Sequence, residues 1–298
     1  MISCRVLIYM SLKVSRLSTA LGAEIIDIDL SQVSDSQVNE IKGYLNENMV
    51  LFFPNQKISI DEHVEFGSKF GELEGHPNLK KNNVHPKVFE LTASEGGIAD
   101  EWHTDITFQD SPALMSVLHM VKCPDLGGDT MWSNLSAAYE ALSDPLKDLC
   151  EGLTALHDAR PHGRPDKTAI HPVVRVHPET GKKVLYVNEH FTRRIVEMSK
   201  DESDMLLAYL TKWVQKPQFT IRYHWTEGTI AMWDNRSTQH YVVNDFQGER
   251  VIQRVTIMGD KVESSCNPRW EPALREGFSA VTTHDKQLIT HLKEKNLT

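Results

Sequence analysis

Short runs of β-branched, aromatic and leucine residues, each cut off by proline, glycine or a polar turn, recur through most of this chain. They constrain its fold more than any other feature. Val50-Leu51-Phe52-Phe53 is wholly apolar and stopped by Pro54, the pattern of a strand buried on both faces. Further strands are expected at 21–30, 88–92, 114–121, 130–132, 218–225, 229–233 and 250–258, with a loop at Pro124 and Gly127-Gly128. A hairpin is expected at 172–187, where Val173-Val174-Arg175-Val176 and Val184-Leu185-Tyr186-Val187 flank Pro178-Glu179-Thr180-Gly181.

Helices are fewer and announce themselves by their caps. Ser34 with Gln37, Ser59 with Glu62 and Ser199 with Glu202 form capping boxes before apolar residues at helical spacing. The first box precedes Val38, Ile41 and Leu45; the second opens a helix that Gly71 ends; the third opens one reaching Trp213. Two short helices are expected around 134–142 and 144–152, and a late one at 285–294. Strands and helices do not alternate regularly, which disfavours a parallel α/β sheet and favours a β-sandwich or jelly roll with helices packed outside. No internal repeat, linker, dinucleotide fingerprint or P-loop is present. The expectation is one domain over 21–260, with an N-terminal extension (1–20) and a C-terminal tail (261–298).

Net charge narrows the partners. A formal charge of -9 argues against nucleic acid or an anionic membrane, but a local pair of arginines still allows a small anion. Cys4, Cys123, Cys150 and Cys266 are scattered without a CxxC, so a reducing cytoplasm is expected. The apolar run at 6–10 is too short for a signal core or a membrane span. Nothing in the composition decides whether the chain forms a homo-oligomer.

Chemistry concentrates in Trp102-His103-Thr104-Asp105-Ile106-Thr107-Phe108. Its β-branched and aromatic residues read as a strand or strand end, where alternation points His103 and Asp105 the same way. An imidazole beside a carboxylate supplies two thirds of the 2-His-1-carboxylate face that holds non-haem Fe(II). Other pairings are weaker. His177-Pro178-Glu179 falls in the hairpin turn, and His63 and Glu65 diverge on a helix. His157-Asp158 and His284-Asp285 are adjacent and would face opposite ways.

The third ligand is expected at His240, which begins the return strand after Trp233-Asp234-Asn235. A lone histidine there also fits a surface or satisfied core residue. Arg250 and Arg254 lie on one face of a strand, about 13 Å apart at about 3.3 Å per residue. They suit either a solvated edge or two separate anion grips, since a guanidinium fork matches carboxylate and sulfonate oxygens.

These residues resemble the taurine/α-ketoglutarate dioxygenase family, which includes the 2,4-dichlorophenoxyacetate dioxygenases, over roughly 21–260. The resemblance is carried by FGELEGHP (70–77), EWHTDITF (101–108), GGDTMWSN (127–134), AAYEAL (137–142), HPVVRVHPETGKKVLYVNEHFT (171–192) and AMWDNRSTQHY (231–241). It is closer to the taurine branch than to the phenoxyacetate branch. The fold it implies is mainly β with flanking helices, around a double-stranded β-helix core (jelly roll, cupin-like). It implies Fe(II) ligands at His103, Asp105 and His240, and a 2-oxoglutarate carboxylate held by Thr130 and Arg250. Arg254 would grip the sulfonate, while His76, the backbone at Ile106 and Phe191 would line the substrate site. With O2, such an enzyme converts 2-oxoglutarate to succinate and CO2 and hydroxylates the carbon bearing the sulfonate, which collapses to sulfite and an aldehyde.

The chain departs from the taurine enzymes at Leu79, where a tyrosine would stand, and at Ala99, where an asparagine would stand. The stretch between His157-Asp158 and His171-Pro172 also lacks their long lid. The expected substrate is therefore a small organic anion, a taurine-like sulfonate first. A carboxylate or alkyl sulfate ester is the alternative under the same chemistry, and an anion-binding jelly roll without iron is the non-enzymatic one.

Overall fold

The computed structural model describes residues 12–74, 85–95 and 98–273, with 286, 289–290 and 293–294 beyond them. Its strands form a seven-stranded sheet, two three-stranded sheets and a hairpin. The large sheet runs in the order β1 (Lys13–Arg16), β2 (Ala23–Ile26), β3 (Val50–Phe53), β13 (Ile230–Asp234), β5 (Ala113–Lys122), β15 (Val251–Met258), β4 (Phe89–Thr92). Among the described strands only β2 and β3 pair in parallel. A smaller sheet of β12 (Thr220–Tyr223), β6 (Thr130–Asn134) and β14 (Thr238–Val242) packs against one of its faces.

Period-two alternation explains the layering. Leu51, Phe53, Val117, Met232 and Val255 point to one face, where α1 (Asp35–Asn48) and α2 (Ile60–Ser68) cover them with Ile41, Leu45 and Phe66. Their neighbours Phe52, Leu118, Trp233 and Ile252 point to the other face and meet Trp132, Tyr223 and Trp225 of the smaller sheet's layer. Phe52 stacks on Tyr223 with centroids 3.7 Å apart. α2 lies so close to the sheet that a Cβ on Gly67 would stand 2.7 Å from Val255 Cγ2. The sandwich is the jelly roll that the strand pattern predicts, with its helices outside.

A second lobe completes the described chain. β11 (Thr192–Ile195), β7 (Thr154–Ala159) and β8 (Arg164–Pro172) form one sheet, and β9 (Val174–Val176) pairs with β10 (Lys183–Leu185) as the expected hairpin. Helices α3 (Leu135–Glu140), α4 (Asp144–Glu151) and α5 (Lys200–Trp213) enclose these strands around Val174, Val184, Leu207 and Leu210. All three capping boxes form. Residues 261–273 lie against this lobe: Val176 N–H donates to Glu263 O, and Ala273 N–H donates to Val196 O. No described helix is long and apolar enough to cross a membrane.

Three expectations are corrected. Residues 102–108 are not a strand: His103 makes a single bridge to His240 and the chain then turns, with Ile106 at φ 48°. Strands β7 and β8 were not expected, because Asp166, Lys167 and the histidines mask any apolar alternation; they form a hairpin around Arg160–His162. His177 is no plain turn residue. It is buried, and its Nε2 meets Asp234 Oδ2 at 2.9 Å beside Arg236. The expected helix at 285–294 lies largely outside the described residues.

Candidate active site

Backbone pairing brings together side chains more than a hundred residues apart. His103 N–H donates to His240 O at 3.1 Å and His240 N–H donates to His103 O at 2.8 Å, so the two imidazoles lie side by side with centroids 4.0 Å apart. The turn after His103 then swings Asp105 beneath them. Asp105 Oδ1 is 3.9 Å from His103 Nε2 and 4.0 Å from His240 Nε2, and a ligand atom from each residue lies within 4.8 Å of the others. Among the described residues this is the one cluster of three such groups with metal-binding geometry. His103 and Asp105 therefore converge through a turn rather than through strand alternation.

Electrostatics suit a cation. Burial pushes the His103 imidazole down to about 4 and His240 well below its ordinary range, so both are neutral near pH 7 with lone pairs available. His103 Nδ1 lies 2.8 Å from Glu101 O, which assigns the proton to Nδ1 and leaves Nε2 as the donor atom. Burial alone would raise the Asp105 carboxyl, but Arg254 and the two imidazoles hold it well below the usual carboxylate range. Two neutral imidazoles and a carboxylate, all facing one cavity, fit a divalent metal such as Fe(II).

That cavity measures about 750 Å³. His103, Asp105, His240, Thr130, Arg250 and Arg254 line it, Asp100, Glu101, Arg160, His162, Glu189, His190 and Arg193 add further polar lining, and Leu91, Ile98, Ala99, Leu118, Val242 and Ile252 supply apolar wall.

The two arginines differ in their partners. Arg250 is 6% exposed; its Nε donates to Gly128 O at 3.2 Å and its Nη2 to Thr130 Oγ1 at 3.4 Å. Among the described residues no carboxylate pairs with it, and burial pushes its guanidinium down to about 10. The tight Gly127-Gly128 turn, with φ of 79° and 69°, delivers the Gly128 carbonyl. Thr130 Oγ1 also accepts from Trp225 Nε1 at 2.9 Å, so its own hydrogen remains to be donated. Arg254 Nη1 donates to Asp105 Oδ1 at 2.6 Å, and among the described residues its buried Nε has no partner.

The remaining expected site residues divide. Ile106 and Phe191 are buried together, and Phe191 N–H is fixed by Asn188 Oδ1 at 2.8 Å. Ala99 lines the cavity, and its carbonyl accepts from Val242 N–H at 2.9 Å. His76 and Leu79 lie outside the described residues. Sequence reasoning missed the rim formed by Glu101, His162 and His190, where His190 Nδ1 meets Glu101 Oε2 at 2.5 Å. Only the place of His190 beside Phe191 in the chain could have signalled it.

Comparison with known proteins accords with this geometry. Residues 13–256 match the family described as taurine catabolism dioxygenase TauD, TfdA family. An alkylsulfatase of Acinetobacter baylyi is 37% identical, over 90% of this chain and 92% of its own. An alpha-ketoglutarate-dependent sulfate ester dioxygenase of Pseudomonas putida is 35% identical, over 84% and 91%. The crystal structure of a putative alpha-ketoglutarate-dependent taurine dioxygenase from Burkholderia xenovorans superposes with a TM-score of 0.79 at 38% identity, covering 86% of this chain and 95% of that one. By sequence over most of its length and by fold, the chain belongs to the TauD/TfdA family of dioxygenases.

Proposed function

We propose that this protein is an Fe(II)- and 2-oxoglutarate-dependent dioxygenase that hydroxylates the sulfate-bearing carbon of an alkyl sulfate ester. The observation that carries the substrate class is the cavity of about 750 Å³, which holds Arg250 and Arg254 with the His103–Asp105–His240 cluster and has an apolar stretch of wall at Leu91, Ile98, Leu118, Val242 and Ile252. Such a space suits an anion with a hydrocarbon tail better than a compact zwitterion such as taurine. The similarity to an alkylsulfatase and to a sulfate ester dioxygenase supports the ester over the sulfonate.

In this reading His103, Asp105 and His240 hold the iron, which with 2-oxoglutarate and O2 supplies the hydroxylating chemistry and yields succinate and CO2. Arg250 takes the far carboxylate of 2-oxoglutarate. A buried guanidinium without a carboxylate calls for an anion, and the remaining Thr130 hydrogen offers a second donor beside it. Arg254 keeps Asp105 ionised through Nη1 and presents its Nε–H to the substrate sulfate. Because Arg254 touches a metal ligand, an anion held there brings its adjacent carbon to the metal and sends its tail outward. Ile106 and Phe191 wall that carbon in and exclude water. The hydroxylated product is a hemiacetal ester. Its new oxygen becomes the aldehyde carbonyl, its hydroxyl proton leaves, and the carbon–oxygen bond to sulfate breaks.

The second reading is an alkyl sulfonate, whose three oxygens present the same face to Arg254 and whose product would release sulfite. The likeness to a putative taurine dioxygenase favours it. Supplying Fe(II), 2-oxoglutarate and O2 with alkyl sulfates, alkyl sulfonates, taurine and alkyl carboxylates separates the cases. Succinate with stoichiometric sulfate is expected from the alkyl sulfates. Sulfite from sulfonates without sulfate from esters would transfer the assignment to the second reading.

A further inference from the structure

We propose that Ser116 and Asn235 are positioning residues that restrict Asp105 to one-oxygen coordination of the metal. This inference rests on the reading of His103, Asp105 and His240 as metal ligands. Ser116 in β5 and Trp233 in β13 are register partners, so their side chains project from adjacent strands on the face toward the site. Ser116 is fully buried, and its Oγ donates to Asp105 Oδ2 at 2.7 Å. Asn235 Nδ2 donates to Ser116 Oγ at 3.1 Å. Asn235 Oδ1 accepts from Trp233 Nε1 at 3.1 Å and from the Asp105 N–H at 3.3 Å.

The direction of this chain is determined. Trp233 Nε1 and a backbone amide can only donate, so the side-chain oxygen of Asn235 must face them and its amide nitrogen must face Ser116. Ser116 Oγ therefore accepts from Asn235, and its single hydrogen goes to Asp105 Oδ2. Meanwhile Oδ1 is the oxygen facing both imidazoles, at 3.9 and 4.0 Å. Oδ2 is thus held by Ser116, while Oδ1, which also accepts from Arg254 Nη1 at 2.6 Å, is the oxygen that faces the metal position. Without the Ser116 hydrogen bond, Oδ2 would be free to rotate in and chelate, occupying a position that the cosubstrate or O2 needs. Asn235 binds the Asp105 amide as well, so the same residue positions both the backbone and, through Ser116, the carboxylate.

Co(II) binding to chelator-stripped protein tests this without turnover, by calorimetric titration and visible d–d absorption. Wild type should bind one Co(II) and His240→Ala should lose it. Absence of binding in wild type, or unchanged binding in His240→Ala, would overturn the ligand assignment itself. With that assignment standing, Ser116→Ala should bind Co(II) about 10- to 100-fold more weakly, with an altered d–d band reporting the changed carboxylate mode. Wild-type affinity and spectrum in Ser116→Ala would overturn the proposal. Ser116→Thr and Ser116→Val share a shape and differ by the hydroxyl, so they isolate it should the alanine variant not fold. Threonine should bind more tightly than valine, and equal binding would overturn the proposal.

Discussion

Replacing Arg250 with methionine should separate cosubstrate binding from fold stability, because among the described residues no carboxylate pairs with this buried guanidinium. Its fall to about 10 through desolvation corresponds to about 3 kcal/mol at about 1.4 kcal/mol per tenfold shift. Arg250→Met removes that penalty and keeps much of the side-chain volume, while Gly128 O and Thr130 Oγ1 each lose a donor worth about 1 kcal/mol. The ligand-free protein should therefore be as stable as wild type or about 1 kcal/mol more stable. Two charge-assisted hydrogen bonds to a carboxylate contribute about 3–6 kcal/mol together, so the KM for 2-oxoglutarate should rise by about 10²- to 10⁴-fold. Succinate formation against 2-oxoglutarate concentration gives the KM, and urea denaturation without ligands gives the stability. A KM within about tenfold of wild type would refute the reasoning. So would a ligand-free protein destabilised by more than about 3 kcal/mol, because Arg250 would then be a structural cation.

Three further outcomes are expected. His240→Ala should lower succinate formation by about 100-fold or more while the ligand-free protein stays folded, since among the described residues His240 Nδ1 makes no hydrogen bond to lose; circular dichroism and turnover together check this. Along a series of linear alkyl sulfates, kcat/KM should rise about fourfold per methylene until the cavity is filled, from about 0.8 kcal/mol per buried CH2, whereas a flat series would show that the tail stays in water. The metal-free protein should lose stability as pH falls from about 6.5 toward 4. His63 and His171 are each pushed down to about 4 by burial, so the unfolded chain binds their protons first; stability is complete above 6.5 and lost toward 4. Urea midpoints at pH 8, 6.5 and 5 measure this, and His63→Leu should flatten the slope, whereas equal midpoints at all three values would contradict it.

Local chemistry was legible in the sequence because its causes are local. Each capping box joins residues three apart, so Ser34 with Gln37 and Ser199 with Glu202 needed no tertiary context. β3 is apolar throughout, and β13 is apolar from Ile230 to Trp233, because both faces of their sheet are covered, and the hairpin of β9 and β10 is announced by its turn. The β7–β8 hairpin was not legible. Its buried His157 and His171 are anchored by Thr107, through its hydroxyl to His157 Nδ1 and its carbonyl to His171 Nε2, rather than by apolar alternation.

The same division runs through the site. By itself the sequence pointed to the residues proposed to carry the chemistry, because imidazoles and a carboxylate suit a divalent metal and guanidinium groups suit two anions. Tertiary structure decided how they meet. A turn at Ile106, not strand alternation, points Asp105 at the histidines, and strand pairing closes the 137-residue interval between His103 and His240. It also decided that Arg250 is buried with no carboxylate beside it among the described residues while Arg254 leans on Asp105, and that Ser116, one serine among many in the sequence, is the hydroxyl behind the Asp105 carboxylate. Burial and hydrogen-bond partnership are properties of the packed chain, set by which distant surfaces exclude water together, and residue order does not specify them locally.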